Sequence, residues 1–146
     1  MKKYMKLAID EACKAVKTGE IPVGAVIVYQ NRLIAKSHNM VETLNDPTAH
    51  AEIMVIREAS KLLNNWRLSE CSMYVTLEPC IMCMGAILNA RMSKLVYGVG
   101  DNKFGAVESN IDLARNSLYK NIKIYSGIEE DICSKLMKDF FREKRK

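Results

Sequence analysis

The chain has 146 residues, of which 49% are hydrophobic and 27% are charged, and this balance excludes a disordered polypeptide. A chain of this length suits one core, so residues 1–146 are predicted to form a single domain. No apolar run approaches the roughly 18 residues of a membrane helix, and Asp10 and Glu11 interrupt the apolar stretch that a signal peptide needs. Five cysteines, an odd number without secretory context, argue against a disulfide framework. We therefore expect a reduced, soluble, cytoplasmic protein.

The net charge of +5 is concentrated at the C-terminus. Residues 135–146 contain six cations and only two acidic side chains. A polyanionic partner would explain this excess. A solvated helix end, whose cations complement the helix dipole, would explain it equally well.

The first half of the chain predicts a helix, a β-hairpin and a second helix. The first helix ends at Gly19 and has apolar residues at helical spacing, namely Met5, Ile9, Ala12 and Val16. Residues 23–29 and 33–37 read as two strands joined by a turn, and residues 39–47 as a loop. The second helix runs to about residue 63, with a predicted inner face of Ile53, Ile56, Ala59 and Leu63.

The second half alternates strands with helices. Strands are predicted at residues 73–77, 94–99 and 122–125, with an almost wholly apolar helix at residues 80–90. Ser109 could cap a short helix after the loop at 98–109. Residues 126–129 have the form of a capping box that starts a basic final helix at about 129–145. The predicted fold is a three-layer α/β/α structure with a central, mixed, five-stranded sheet.

Two short motifs contain possible metal ligands. His50 begins a His-Ala-Glu motif at the start of the second helix, and Cys80 and Cys83 form a Cys-x-x-Cys motif at the start of a later one. Two thiolates at i and i+3 lie on one helical face and can bind one ion. With the imidazole they give zinc three protein ligands and leave the fourth position to water, which is typical of a catalytic site. Glu52 is close enough in sequence to take a proton from that water.

Each motif alone has a simpler interpretation. Cys-x-x-Cys is also typical of a redox pair or of two buried thiols, and His-x-Glu is common at helix starts. A structural zinc would need a fourth protein ligand, which Cys13, Cys71, Cys133 or His38 would have to supply. None of these is spaced as a pair with the others, so the complete pattern favours a catalytic metal site.

The combined pattern resembles the tRNA-specific adenosine deaminases (the TadA family) of the zinc-dependent cytidine deaminase-like superfamily, whose H-x-E…P-C-x-x-C signature is established. The resemblance spans nearly the whole chain. It rests on Pro-Val-Gly-Ala at 22–25, His-Asn at 38–39, residues 46–53 around His-Ala-Glu, residues 74–83 ending in Leu-Glu-Pro-Cys-Ile-Met-Cys, and Asp-Phe-Phe-Arg at 139–142.

The resemblance implies specific roles for individual residues. His50, Cys80 and Cys83 would hold one Zn²⁺, and Glu52 would be the proton shuttle. Asn39 would orient the target base or its ribose. The residues expected near the RNA are Asp101, Lys103, Phe141, Arg142 and Arg145. Two residues depart from the family pattern in the loop that contains Asp101, namely Gly100 and the bulky Phe104.

The implied reaction is hydrolytic deamination of adenosine to inosine at the wobble position of a tRNA anticodon loop. A zinc hydroxide would be the nucleophile and ammonia the leaving group. The resemblance also implies a homodimer, which would bury the surplus apolar surface of the helix at 80–90. The alternatives are a deaminase of free guanine or cytosine (or of their nucleosides) and a zinc-stabilised RNA-binding module without turnover. Glu52 argues against the latter, because a structural zinc needs no neighbouring carboxylate.

Overall fold

The computed structural model describes residues 1–116 and 122–145. The helices are α1 (Lys2–Lys17), α2 (Val41–Leu44), α3 (Ala51–Leu63), α4 (Ile81–Asn89), α5 (Leu113–Asn116) and α6 (Glu130–Lys144). The strands are β1 (Gly24–Tyr29), β2 (Arg32–His38), β3 (Cys71–Leu77), β4 (Lys94–Val99) and β5 (Lys123–Tyr125). Across the described part of the chain, no helix is long and apolar enough to cross a bilayer.

The five strands form one mixed sheet in the order β2-β1-β3-β4-β5, which confirms the predicted fold class. β1 pairs antiparallel with both β2 and β3, whereas β3, β4 and β5 are parallel. Gln30 and Asn31 have positive φ angles of 50° and 60° and turn the hairpin between β1 and β2. The carboxyl ends of β3 and β4 therefore meet at one edge of the sheet, where open α/β folds place their ligands.

Helices cover both faces of the sheet. α1 and α6 pack on one face, where Met5, Ile9 and Cys133 bury themselves against Val26 and Val96. α3 and α4 pack on the other face, in a larger apolar cluster. The two clusters together make the predicted α/β/α sandwich.

Two predicted helix faces are partly wrong. Val16 is exposed, because the sheet-facing side of α1 is completed by Ala8 and Ala15 instead. In α3 the buried positions are Ala51, Glu52, Val55 and Ala59, while Ile53, Ile56 and Leu63 are only partly buried. The close approach of α3 to the sheet selects small side chains, so the bulkier residues lie at the edges of the contact.

Several predicted helix starts also differ. The loop at 39–47 contains the one-turn helix α2. Ser109 does not cap α5, since its hydroxyl donates to Glu78, and Asp112 Oδ1 accepts the N–H of Arg115 instead. The capping box does not form: Glu129 is itself the N-cap, with a φ of 58° and no side-chain cap hydrogen bond. The Gly127 N–H donates to the Gly98 carbonyl at 3.1 Å, and this contact with β4 takes precedence over the local motif.

Candidate metal centre and active site

Three side chains that could ligate a metal ion converge at the N-termini of α3 and α4. His50 is the N-cap residue of α3, Cys80 is the N-cap residue of α4, and Cys83 lies in the first turn of α4. The Nδ1 atom of His50 is 3.7 Å from the Sγ atom of Cys80 and 3.5 Å from that of Cys83. All three ligand atoms lie within 4.8 Å of one another.

The spacing of these donors fits a tetrahedral zinc ion. With Zn–S bonds of about 2.3 Å and Zn–N bonds of about 2.05 Å, neighbouring sulfur and nitrogen ligands are about 3.6 Å apart. The two nitrogen–sulfur distances agree with that value. In the described part of the chain no fourth His, Cys, Asp or Glu joins the group. Three donors without a fourth match the open coordination of catalytic zinc sites.

The residues considered as a fourth ligand lie elsewhere. Cys71 and Cys133 are buried in the apolar clusters on opposite faces of the sheet, and Cys13 is exposed on α1. His38 Nδ1 is 3.1 Å from Glu11 Oε1, so its ring is held by α1. The structural-zinc alternative therefore has no complete ligand set among the described residues.

One of the two thiols, Cys80, is shifted toward the form that binds metals. A hydrogen bond from the Cys83 thiol, together with contacts to His50, lowers the pKa of Cys80 to about 4. Cys80 is therefore a thiolate at neutral pH, the form that ligates metals. The same hydrogen bond raises the pKa of Cys83, and the contact with Cys80 raises the pKa of His50. The N-terminus of α4 adds a favourable dipole for the thiolate.

Glu52 lies beside the metal ligands but is not one of them. It is the second residue of α3 and is only 4% exposed. Burial raises the pKa of its carboxyl group to about 7. A carboxyl group with a pKa near neutrality can both accept and donate a proton, as a general acid–base catalyst requires.

A cavity of about 900 Å³ opens over this centre and has the size of a small-molecule site. His50, Glu52 and Cys80 line its floor, and Asn39 lines one side. Asn39 follows β2 and is buried, and its Oδ1 atom accepts the N–H of Val41 at 3.2 Å. The structure thus brings Asn39 and the predicted catalytic residues to one cavity.

The loop after β4 forms another wall of the cavity, which Asp101, Lys103 and Phe104 line. The Asp101 carboxylate accepts the N–H groups of Lys103 and Phe104 at 3.0 and 3.1 Å, so it shapes the turn. The Lys103 ammonium lies 5.3 Å from the centre of the Phe104 ring, which is 63% exposed. A Cβ atom at Gly100 would lie 3.2 Å from Ser109 Oγ, a tight contact.

The C-terminal helix contributes unequally to the cavity. Phe141 lines it and is 42% exposed, whereas Phe140 is buried and meets the Phe141 ring edge to face. Arg142 is exposed and pairs with Asp139 at 2.7 Å. Neither Arg142 nor Arg145 lines the cavity. Lys146 lies outside the described residues.

Sequence reasoning missed several residues at this site. Ile21, Ser134, Met137 and Lys138 also line the cavity. It also assigned no role to Glu78, although this carboxylate is buried under the loop after β4. Burial raises the pKa of Glu78, but hydrogen bonds from Glu108 and Ser109 outweigh it and hold the pKa below its usual value. A carboxylate next to proline at a strand end was the available signal.

Comparison with known proteins agrees with this geometry. A family model for MafB19-like deaminases matches residues 1–145. The chain is 44% identical to the tRNA-specific adenosine deaminase of Bacillus subtilis (strain 168) over 144 residues, which cover 98% of this chain and 89% of the relative. A solved structure from work on A-to-I editing by tRNA:A34 deaminases at the wobble position superposes with a TM-score of 0.90 and 44% identity, covering 93% of this chain and 99% of the other. The X-ray structure of guanine deaminase from Bacillus subtilis is more distant, with 39% identity and a TM-score of 0.65, covering 82% of this chain and 70% of the other. The full-length match and the level of identity establish that the chain belongs to the tRNA-specific adenosine deaminase family, within the larger group of MafB19-like deaminases.

Proposed function

We propose that this protein uses zinc to deaminate adenosine to inosine by hydrolysis, at the wobble position of a tRNA anticodon loop, releasing ammonia. The observation that carries this proposal is the buried Glu52 carboxyl group beside three metal donors, at the floor of a cavity with an aromatic and basic mouth. The residues at the floor of that cavity support the proposed reaction, and those at its mouth support the proposed substrate class.

His50, Cys80 and Cys83 would hold the zinc. When bound, the metal supplies a Lewis acid that lowers the pKa of water toward about 7. Glu52 then manages the protons of the reaction. Its carboxylate takes one proton from the attacking water and delivers it to N1 of adenine. It then takes the remaining proton of that water from the oxygen now bonded to C6 and passes it to the departing amino group. Water adds at C6 and ammonia leaves, so adenosine and water become inosine and ammonia.

Asn39 is placed to orient the nucleoside. Because its Oδ1 atom accepts the Val41 N–H, the amide is held in one orientation. Its Nδ2 group can then donate to an acceptor on the base or ribose, as the family resemblance implies. The Asn39 side chain is buried beside the floor of the cavity, where the reacting end of a substrate must lie.

The mouth of the cavity suits RNA. Phe104 and Phe141 are exposed aromatic rings on two different elements, and the positively charged Lys103 and Lys138 line the same cavity. Aromatic rings stack on unpaired bases, and cations bind the phosphate backbone. Arg142 on α6 and Arg145, the residue directly after α6, lie outside the cavity and extend this positive surface. An anticodon-loop nucleotide is already partly unstacked, so moving its base into the cavity costs less than from a duplex.

The substrate class is tested by comparing ammonia release from an anticodon stem-loop with adenosine at the wobble position with release from free adenosine, cytidine and guanine. We expect at least about 100-fold higher kcat/KM for the stem-loop, because binding energy from remote nucleotides positions the reacting base. The matched control is the same stem-loop with cytidine at the wobble position. Equal or faster turnover of free guanine or cytidine would refute the tRNA assignment and favour the alternative.

We also propose that two copies associate through the outer side of α4. Met84, Ile87 and Leu88 are buried within the chain, but Ile81 is 59% exposed. Trp66 is exposed and lines, with Ala86 and Asn89 of α4, a groove of about 450 Å³. Sedimentation should give twice the chain mass, and Ile81→Glu should shift it toward one copy. A monomeric parent protein would contradict this assembly.

All five cysteines are unpaired thiols, which supports a reducing, cytoplasmic location.

A further inference from the structure

One buried carboxylate holds the wall of the cavity that follows β4. Glu78 comes directly after β3 and is 2% exposed. Its Oε1 atom accepts the N–H of Asp101 at 3.0 Å and the Ser109 hydroxyl. Its Oε2 atom accepts the N–H groups of Val107, Glu108 and Ser109 at 3.0, 2.9 and 3.0 Å. Five hydrogen bonds therefore converge on a single side chain.

The segment held in this way has almost no regular structure. Residues 100–112 contain neither helix nor strand, so their shape depends on contacts from outside the segment. Glu78 accepts one N–H group near its start and three near its end, which fixes both sides of the turn that contains Lys103 and Phe104. Two backbone hydrogen bonds also hold the loop: the Glu78 N–H donates to the Val99 carbonyl at 2.8 Å, and the Ala106 N–H donates to the Pro79 carbonyl at 2.9 Å.

Gly105 provides independent evidence for the same arrangement. A Cβ atom at this position would lie 2.5 Å from the Glu78 carboxyl carbon and 2.4 Å from the Asp101 carbonyl oxygen. The loop therefore wraps the carboxylate so closely that only glycine fits. The φ angle of Gly105 is not in the left-handed region, so space, rather than backbone freedom, requires glycine here.

We infer that Glu78 is a positioning residue for substrate recognition, which acts by fixing the loop that presents Lys103 and Phe104 at the mouth of the cavity. Its own oxygens are occupied by the loop, so it does not act on the reacting base. The nature of the substrate at that mouth rests on the proposed function. The anchoring itself rests only on the contacts of the carboxylate.

Glu78→Gln tests this inference with little change in shape. The glutamine amide keeps one oxygen acceptor. Its NH₂ group replaces the second carboxylate oxygen of Glu78 and therefore faces N–H groups that this oxygen accepts in the parent protein. We expect KM for the anticodon stem-loop to rise at least about 10-fold, kcat to change less than about 3-fold, and zinc content to stay at one per chain. Hydrogen exchange at the amides of Val107, Glu108 and Ser109 should become faster.

Two further variants separate positioning from general stability. Ile27→Val removes a buried methyl group from β1, so it should lower the melting temperature while KM stays unchanged. Gly105→Ala leaves Glu78 intact but pushes the loop away from it. Gly105→Ala should raise KM for the stem-loop as Glu78→Gln does, and it provides this test even if the Glu78→Gln protein folds poorly.

The outcomes distinguish the anchoring from the proposed function. An unchanged KM in both loop variants would overturn the inference, and so would unchanged hydrogen exchange. Loss of zinc with an unchanged KM would overturn it too, by showing that Glu78 supports Cys80 instead. If the parent protein does not act on the stem-loop, the proposed function fails, and the hydrogen-exchange result still decides whether Glu78 holds the loop.

Discussion

Glu20 offers a quantitative test of how the cavity side that carries Asn39 is held. It is a buried carboxylate between α1 and β1. It accepts the N–H of Glu42 at 3.1 Å and both the N–H and the hydroxyl of Thr43, at 2.7 and 2.6 Å. These donors belong to α2, the single helical turn that follows Asn39. Removing the carboxylate should therefore destabilise this turn together with the fold.

The expected loss follows from these contacts. A hydrogen bond to a charged group contributes about 1.5–3 kcal/mol net. The backbone of α2 is near solvent, so water replaces part of what Glu20→Ala removes, and we expect a loss of about 2–3 kcal/mol. For a chain of this length, 1 kcal/mol corresponds to about 3–5 °C, so the melting temperature should fall by about 10 °C. Glu20→Gln keeps one acceptor oxygen and should lose roughly half as much.

The loss should depend on pH in a defined direction. Burial raises the pKa of Glu20, but hydrogen bonds from Thr43 outweigh it and hold the pKa below its ordinary value of 4.5. A carboxyl group with a lowered folded-state pKa stabilises the fold above its unfolded-state pKa, and this contribution is lost as the pH falls through the folded-state pKa. The difference in melting temperature should be constant above about pH 5.5 and should shrink below about pH 4.5.

Thermal unfolding followed by circular dichroism, at several pH values, measures this effect. Glu42→Ala is the matched control, since it removes an equal charge from the exposed surface of the same turn. That variant should stay within about 0.5 kcal/mol of the parent. A Glu20→Ala protein that melts within 2 °C of the parent at pH 7, about a fifth of the expected shift, would refute the reasoning. A difference that persists undiminished in acid would refute the electrostatic part of it.

Three further predictions concern the catalytic centre and the basic helix. Glu52→Ala should keep one zinc per chain but lower kcat at least about 100-fold, whereas the exposed Glu58→Ala should match the parent in turnover assays; full activity in Glu52→Ala would remove its assigned role. Cys83→Ser should lower both the metal content, measured by elemental analysis, and the melting temperature, measured by calorimetry. A variant that keeps both at the parent values would show that the ligand set is wrong. Replacing Lys144 and Arg145 with alanine should flatten the slope of log affinity against log salt by about 1.5 units for the stem-loop, while an unchanged slope would identify a merely solvated helix end.

The candidate metal ligands were predictable because their spacing is local. Cys80 and Cys83 share the first turn of one helix, so i,i+3 spacing alone brings their side chains together. His50 joins them because α3 and α4, whose N-cap residues are His50 and Cys80, pack on the same face of the sheet. The order of strands and helices predicted helices on both faces of the sheet, but it did not assign these two helices to the same face. The sheet itself followed from apolar runs and turn residues, which are also local signals.

The role of Glu78 was not predictable from local pattern. Its five hydrogen bonds come from four residues that are 23 to 31 positions away in sequence and lie in a segment without periodicity. Ser109 illustrates the same limit, because its hydroxyl could serve either a helix N-terminus or a distant carboxylate. The buried carboxylate forms the stronger, charge-assisted hydrogen bond. At Gly127 a contact with β4 similarly replaced the expected capping box.

The floor and the mouth of the cavity are supported by different elements. The residues proposed for catalysis and those proposed for substrate recognition therefore lie on separate parts of the fold. The floor stands on α3 and α4, whose apolar sides pack against the sheet, so the metal ligands and Glu52 have rigid support. One side of the mouth is formed by the loop after β4, which Glu78 largely holds in place. The other side is formed by α6, whose outer surface is exposed. The reacting groups would interact with the substrate most strongly in the transition state, whereas the mouth would bind remote parts of it equally in the ground state. Substitutions at the floor should therefore lower kcat, and substitutions at the mouth should raise KM. Because a guanine deaminase shares 39% identity with this chain, the mouth is where relatives with different substrates are expected to differ most.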